Sequence, residues 1–573
     1  VINAGSPGSY LWYTSPMKTF LQSEPPPQDF VHQLGKHVQE TDFDYLTRVL
    51  FSTDASIYQM LPVGVAWPKN DQEVIAAVKT AAEHRIPVLP RGGGSSLAGQ
   101  AIGPALILDF SRYMDGILEI DREANLARVQ PGVVLGTLNQ ALRRQGLMFG
   151  PDPASGDRAT LGGIIGNNAT GSHSIRYGMS HDHLLQTAAV LADGTAVEFS
   201  ALSPQEWQAR QKRPGLEGEI YTQVGRVLEE YRDEIRTGYP DTFRTVAGYN
   251  LNVLADQENP NLATLLAGSE GTLGIVTSAT LNLVPIPRYT HLYLVHFAEM
   301  RKALEVVPEI LETDPSAVEL IDDLLLSLTK SKPEYRDMLR FIQGSPEAIL
   351  VVEYSGDRES QVSGQKGYLE SFGPTVHLQN PADQDQVWKA RKVGLGILLS
   401  KRGDAKPTTF IEDAAVPVEH LADYALTIRD FGREIGVSST ALYAHASAGC
   451  LHIRPMVNLK SERGLEQMRL LAEKSLELVK KFGGTTSGEH GEGVVRGEFS
   501  ERLFGPELTR AFQEIKDSFD PTHHLNPGKI VNSPRMDSEV ILRYGTTYRV
   551  PYKPEPTVLD FEEDHGFDGA VEM

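Results

Sequence analysis

The chain has 573 residues, a formal net charge of −21, 40% hydrophobic residues and one cysteine. That length suits about three to four domain-sized units, and an acidic balance without clustered Lys and Arg excludes a nucleic-acid partner, which needs cations matched to phosphate. Cys450 alone leaves no disulfide framework and no multi-cysteine metal or iron-sulphur site within these residues; no segment reaches the ~20 apolar residues of a membrane span, and the start lacks a secretory signal.

Residues 1–45 read as an N-terminal extension whose first 16 residues precede any methionine and show no periodicity. Asn70 is a predicted helix cap, with Glu73 at the third position, Val74, Ile75, Val78 and Ala81 on the apolar face, and Pro87 just beyond the end. Strand Val88 to Leu89 then leads into PRGGGSSLAGQ, Pro90 to Gln100. Gly92, Gly93 and Gly94 permit backbone angles closed to other residues and clear side chains from the N–H groups, while Arg91, Ser95 and Ser96 add a charge and two donors. That combination points to phosphate. A strand at Ala105 to Asp109 follows, then a hairpin of Ile117 to Asp121 against Leu126 to Gln130, and a helix at Leu135 to Gln145.

A second glycine-rich region, Pro151 to Gly178, is too long and irregular for a hairpin turn, and long structured loops are usually functional. A third, Gly268 to Gly274, precedes a β-rich stretch from Ile275 to Val284. Pro285 to Pro287 marks a boundary, so residues 46–286 and 287–500 are read as separate domains. In the second, the clearest helix is Gly464 to Phe482, with Leu465, Met468, Leu471, Leu476 and Val479 on one face and Gly483 and Gly484 as its stop. A further helix lies within 501–532 and ends at Asp520 and Pro521, and residues 533–573 read as an extended acidic tail. The fold class is α+β with mixed sheets.

No G-x-G-x-x-G follows a strand, and neither a phosphate-loop lysine motif nor a G-x-S-x-G elbow is present, which disfavours a nicotinamide site, a nucleotide hydrolase and an α/β-hydrolase. HASAGCLH, His445 to His452, spaces two imidazoles seven residues apart, and SGEHG adds Glu489 and His490 in sequence contact. Two histidines and a glutamate suit a divalent ion such as zinc or manganese, and the remaining histidine suits a general base. A lone histidine is more often a satisfied core residue; two glycine-flanked pairs favour chemistry. Cys450 reads as a small buried thiol, His173, His181 and His183 as hydrogen-bonding residues, and Asp193 and Gly194 as a hairpin turn.

In order and spacing, PRGGGSSLAGQ, the PDP segment with LGGIIGNNATGSHSIRYG, and AGSEGTLGIVT resemble the flavin-binding domain of the vanillyl-alcohol-oxidase and p-cresol-methylhydroxylase (PCMH) superfamily. The resemblance implies a two-part FAD-binding domain at 46–286 without a Rossmann fold, and a substrate (cap) domain at 287–500. Pro90, Arg91, Gly92, Gly93, Gly94, Ser95 and Ser96 would wrap the phosphates. Pro151, Asp152, Gly163, Asn167, Gly171 and Ser172 would run along the dinucleotide, with the backbone around Gly274 and Ile275 holding its adenine side or ribitol. Covalent members carry a histidine where this chain has Ser95, which implies a non-covalent FAD.

The histidine motifs resemble the C-terminal domain of the FAD-linked D-2-hydroxyacid dehydrogenases. By that resemblance His445, His452 and Glu489 are metal ligands, His490 is the base and Arg391 clamps the substrate carboxylate. Asn526 to Lys529, NPGK, would return the chain to the flavin domain, with Asn526 at the cofactor. Relatives acting on 2-hydroxyglutarate have a threonine where this chain has Leu395 and a lysine where it has Ile411; Lys401, Arg402 or Lys406 are the alternatives for a second carboxylate.

FSTDASIYQMLPVGVAWPK and the final DFEEDHGFDGAVEM look like a long bacterial subgroup acting on D-2-hydroxyglutarate, which continues into an iron-sulphur region. A [4Fe-4S] cluster is expected only if the chain continues past Met573. The implied activity is oxidation of a D-2-hydroxyacid, D-2-hydroxyglutarate first, with hydride passing to FAD N5. D-lactate or glycolate oxidation, an oxidase or ether-lipid synthase, and a non-catalytic flavin electron-transfer or sensor subunit are the alternatives. Expected partners are the hydroxyacid and an electron acceptor, either a quinone, an electron-transfer protein or an iron-sulphur region. A homo-oligomer is expected, cytoplasmic or peripheral at the inner membrane.

Overall fold

The computed structural model describes residues 25–548, apart from 333, 334, 336, 337 and 402. Near its start a four-stranded sheet runs in the order Thr41–Asp42, Gly64–Ala66, Leu106–Asp109, Val88–Arg91, its last three strands parallel. Helix Asp71–Glu83 supplies the crossover between Gly64–Ala66 and Val88–Arg91. It begins where Asn70 Oδ1 accepts the Glu73 N–H at 3.1 Å, and it buries Val74, Ala77, Val78 and Ala81.

A five-stranded antiparallel sheet follows, in the order Ile117–Asp121, Leu126–Val129, Ile275–Asn282, Leu184–Val190, Ala196–Ser200. The expected hairpin is its edge, and Gly194 makes the turn into its other edge with φ of +79°. The strand Ile275–Asn282 in its middle brings the third glycine segment back beside the first two.

The remaining large sheet is antiparallel, in the order Thr375–Leu378, Tyr289–Phe297, Ala348–Gly356, Ala317–Asp322, Thr440–His445, Cys450–Val457, Lys406–Pro407. Helix Glu462–Lys481 packs on one side through Met468, Leu471, Leu476 and Val479. Helix Pro381–Leu399 covers the other side, where Val387 joins Leu294, Ile321, Val351 and Tyr443.

Helix Ser500–Phe519 buries Phe504, Leu508, Phe512, Ile515 and Phe519 in the apolar cluster built from residues around the first two sheets. It breaks at its sixth residue, Gly505, φ +83°, ahead of Pro506. The reading of residues 533–573 as an extended surface tail needs correction over its first part. Met536, Ile541 and Leu542 are buried with the cap-sheet cluster, and Tyr58 Oη donates to the Met536 carbonyl at 2.9 Å. Apolar residues spaced through a polar stretch anchor it without forming a long element. Residues 549–573 and 1–24, where that reading and the extension also fall, lie outside the described residues.

Candidate active site

The three glycine segments meet along one wall of a cavity of about 860 Å³. Pro90 to Ser96 come from the first, Gly163 and Asn167 from the second, and Gly271 and Gly274 from the third. Their approach is close enough to require glycine. A Cβ on Gly93 would lie 2.5 Å from the Arg158 carbonyl oxygen, and one on Gly271, φ +73°, would lie 2.5 Å from Pro90. Asn526 fastens two segments from behind, its Nδ2 donating to the Gln100 carbonyl at 3.0 Å and the Glu270 carbonyl at 2.7 Å.

Several expected flavin residues take other positions. Pro151, Asp152, Gly171, Ser172, Ile275 and Asn526 do not line the cavity, whereas Val276, beside Ile275, does. Alternation along a strand turns Ile275 into the core, where it is fully buried. Asp152 instead takes His173 Nδ1 at 2.5 Å, and Gly171 offers its carbonyl to Arg244 at 3.1 Å. Arg91 lines the cavity, yet its guanidinium donates to the carbonyls of Phe51, Thr53 and Ala101. Its charge is turned to the rear of the loop, away from the expected phosphate contact.

The cap sheet and the loop after its last helix add polar and titratable side chains to the lining. Strand alternation puts Tyr443 and His445 on one face of Thr440–His445, and His452 and Arg454 on the same face of Cys450–Val457, with Tyr443 paired to His452. Glu319, paired to His445 in the adjoining strand, shares that face. The loop carrying Glu489 and His490 is held by Asp413, whose carboxylate accepts the His490 N–H at 2.8 Å and the Ser487 hydroxyl at 2.5 Å.

Three imidazoles converge on one oxygen. Nε2 of His445, His452 and His490 lie 3.1, 3.2 and 3.5 Å from Glu489 Oε1. Each Nδ1 faces outward to a fixed partner: Glu319 Oε1 at 2.6 Å for His445, the Glu412 carbonyl at 2.7 Å for His452, and Glu412 Oε1 at 3.0 Å for His490. Outer contacts of this kind set the orientation of a metal-binding histidine, and the Nε2 and carboxylate donors suit a borderline divalent ion. Asp413 also brings a ligand atom within 4.8 Å of those of His452, Glu489 and His490. Its oxygens are already engaged by the loop, so the set facing inward through Nε2 fits a metal better.

Arg244 Nη1 reaches Glu489 Oε2 at 2.9 Å from the flavin side, tying the second glycine region to the cluster. Burial would raise the Glu489 carboxyl, but His445 and Arg244 hold it well below the usual carboxylate range. Glu412 is likewise held well below it, against burial, chiefly by His490. Burial disfavours the His490 cation, yet Glu412 and Asp413 outweigh it and set the pKa to about 9.

Arg391 lines the cavity with Nε donating to Glu319 Oε2 at 3.1 Å. Neither Lys401 nor Lys406 lines the cavity; they bond Ser439 Oγ and the Lys401 carbonyl, and Arg402 lies outside the described residues. Cys450 is fully buried, its thiol pushed up by burial. His173, His181 and His183 make the hydrogen bonds expected of them, to Asp152 and Glu353, to Asn168 and to the Tyr177 carbonyl. Sequence reasoning passed over Glu319, Glu412, Asp413, Arg244, Tyr443 and Arg454. Tyr443 and Arg454 sit two residues from a histidine on a strand, a spacing that period-two alternation could have flagged; the others carry no local signal.

The fold and this two-walled cavity define a flavoprotein class that binds its dinucleotide on glycine-rich backbone rather than on a Rossmann turn. Residues 62–200 match the FAD binding domain family and residues 286–530 match the FAD linked oxidases, C-terminal domain. The chain is 30% identical over 494 residues to a glycolate oxidase subunit, GlcD, of Bacillus subtilis, covering 84% of this chain and 92% of that one. It is 33% identical over 509 residues to a D-2-hydroxyglutarate dehydrogenase of Pseudomonas putida, covering 85% of this chain but 50% of the relative, so it spans about half the length of that relative. The fold is similar to that of a substrate-bound p-cresol methylhydroxylase, with a TM-score of 0.65, 15% identity and coverage of 88% and 96% of the two chains. The chain belongs to the FAD-linked oxidase family, with FAD as its cofactor. No described helix is long and apolar enough to cross a membrane.

Proposed function

We propose that this protein oxidises a D-2-hydroxyacid, D-2-hydroxyglutarate first, to the 2-oxoacid, using FAD held without a covalent bond. The observation that carries this reading is a single cavity lined by the glycine segments on one side and by Arg391, His445, His452, Glu489 and His490 on the other. The relative's name, D-2-hydroxyglutarate dehydrogenase, supports the substrate. The residues fit a flavin: the cradle would be filled by a Cβ, and Thr160 Oγ1, buried on the cavity wall, has no partner. Ser95 in the first loop offers no histidine for attachment.

Arg391 would orient the carboxylate beside the reacting carbon, a planar cation matched to a planar anion. His490 would take the hydroxyl proton at Nε2, with Glu412 fixing Nδ1 and stabilising the imidazolium that forms. His445, His452 and Glu489 would hold a divalent cation, zinc or manganese, whose charge would acidify the α-hydroxyl and draw the His490 pKa downward. FAD supplies the acceptor for the α-hydrogen, which leaves as hydride with both electrons of its bond. Burial of the cluster keeps these charges at low dielectric, where positioned dipoles act strongly. A quinone or an electron-transfer or iron-sulphur protein would complete the cycle.

The test is spectroscopic. Purified protein should be yellow, and anaerobic D-2-hydroxyglutarate should bleach the flavin, with the rate falling after chelation and returning with zinc or manganese. A flavin left oxidised by a panel of D-2-hydroxyacids, including D-lactate and glycolate, overturns the reading.

A further inference from the structure

We propose that Arg454 selects a dicarboxylate by receiving the substrate's distal carboxylate while Arg391 takes the one beside the hydroxyl. This rests on the hydroxyacid reading and assigns the side chain that distinguishes one hydroxyacid from another. Arg454 is 1% exposed and lines the same cavity as Arg391 and the three imidazoles.

Its guanidinium is incompletely satisfied. Nε donates to Tyr443 Oη at 2.7 Å and Nη2 to Glu412 Oε2 at 3.2 Å, but Nη1 is buried without a partner. Arg391 is better satisfied: Nε bonds Glu319 Oε2, and Nη2 lies 3.1 Å from the same oxygen. Buried donors are almost always paired, and leaving one unpaired is costly. The orphaned Arg454 nitrogen is therefore an anion contact in waiting, in the same cavity lining as the Arg391 cation.

Both groups lie against the Tyr443 ring, at 4.5 Å for Arg391 and 5.6 Å for Arg454, so their central carbons are within about 10 Å of each other. A four- or five-carbon diacid bridges such a span. A monocarboxylate held at Arg391 would leave the Arg454 nitrogen orphaned. Selectivity of this kind arises because a site built for a polar group is left with unpaired buried donors when that group is missing. Lys332 and Lys392 also line the cavity, but neither is buried, and their attraction is screened.

The experiment compares Arg454→Met and Arg454→Lys with the parent holoenzyme. One readout is the ratio of kcat/KM for D-2-hydroxyglutarate over D-lactate; the other is the dissociation constant of glutarate, an unreactive diacid, against butyrate, read from the flavin spectrum. In Arg454→Met the kinetic ratio should fall at least about 30-fold, mostly through KM, and glutarate should lose its advantage over butyrate. Arg454→Lys keeps the charge without the fork and should lose less; it carries the test if the Met variant fails to retain flavin.

Equal losses on both substrates with unchanged glutarate preference would overturn the assignment, leaving Arg454 as a support for Glu412 and His490. A parent that oxidises D-lactate but not D-2-hydroxyglutarate would also overturn it while the hydroxyacid reading stands. A parent reduced by no hydroxyacid would overturn that reading instead, and the glutarate titration would still decide whether Arg454 binds a second carboxylate.

Discussion

Along the glycine segments the cavity lining is largely main chain, whereas at the cap sheet it is polar and titratable side chains. The first wall works by what is missing: Gly93 faces the Arg158 carbonyl with no room for a methyl group, and Arg91 turns its charge away. The second works by what is present, with Glu319, Glu412, Asp413 and Glu489 balanced by Arg244, Arg391, Arg454 and Arg496 and three imidazoles. A backbone cradle suits a cofactor that stays in place through turnover. Hydrogen-bonded charges suit a step in which a proton moves, because small changes in environment then change the chemistry.

Substitutions should separate the two walls. The largest effect is expected from His490→Ala, which should slow flavin reduction by about 1,000-fold while leaving flavin content intact, as stopped-flow under anaerobic conditions would show. Reduction at the parent rate would remove His490 as the base. Glu489→Ala should come next, because it strands the Arg244 cation in a site where its side chain is 0% exposed. A loss of about 3 kcal/mol in denaturant unfolding is expected, together with loss of bound metal by elemental analysis. Retained metal at full stoichiometry would break the assigned ligand set.

On the other wall the rule reverses, and adding one methyl group should do the damage. Gly93→Ala forces apart two backbones and should lower stability by about 2 kcal/mol and the flavin content with it, measured from the ratio of visible to ultraviolet absorbance. The smallest effect is expected from Asn526→Ala, which leaves the Gln100 and Glu270 carbonyls without their donor. A weakening of flavin binding by about 1 kcal/mol should be visible in a dilution titration, with kcat in saturating FAD little altered.

The flavin wall was largely legible because its message is local. A run of glycines after a strand restricts what the chain can do there, and no distant residue is needed to recognise it. What spacing left open there was direction: Ile275 and Val276 differ by one step of a strand, and only the sheet tells which side chain faces the cavity. On the second wall the histidines and Glu489 announced themselves by spacing. Their partners did not, since Glu319 lies 126 residues from His445 and Arg244 lies 245 from Glu489.

Residue type and spacing were enough to show two histidine motifs and a glycine cradle, because imidazole, carboxylate and glycine have properties independent of their neighbours. Tertiary structure alone decided which nitrogen of each histidine faces inward, that Arg91 looks backward and that Arg454 faces the cavity with an unpartnered nitrogen. Those outcomes depend on strand register and on burial, which set the direction of a side chain and the cost of leaving it unpaired. PRGGGSSLAGQ specifies a backbone cradle; the cap sheet folded beside it brings the imidazoles and arginines into the same cavity.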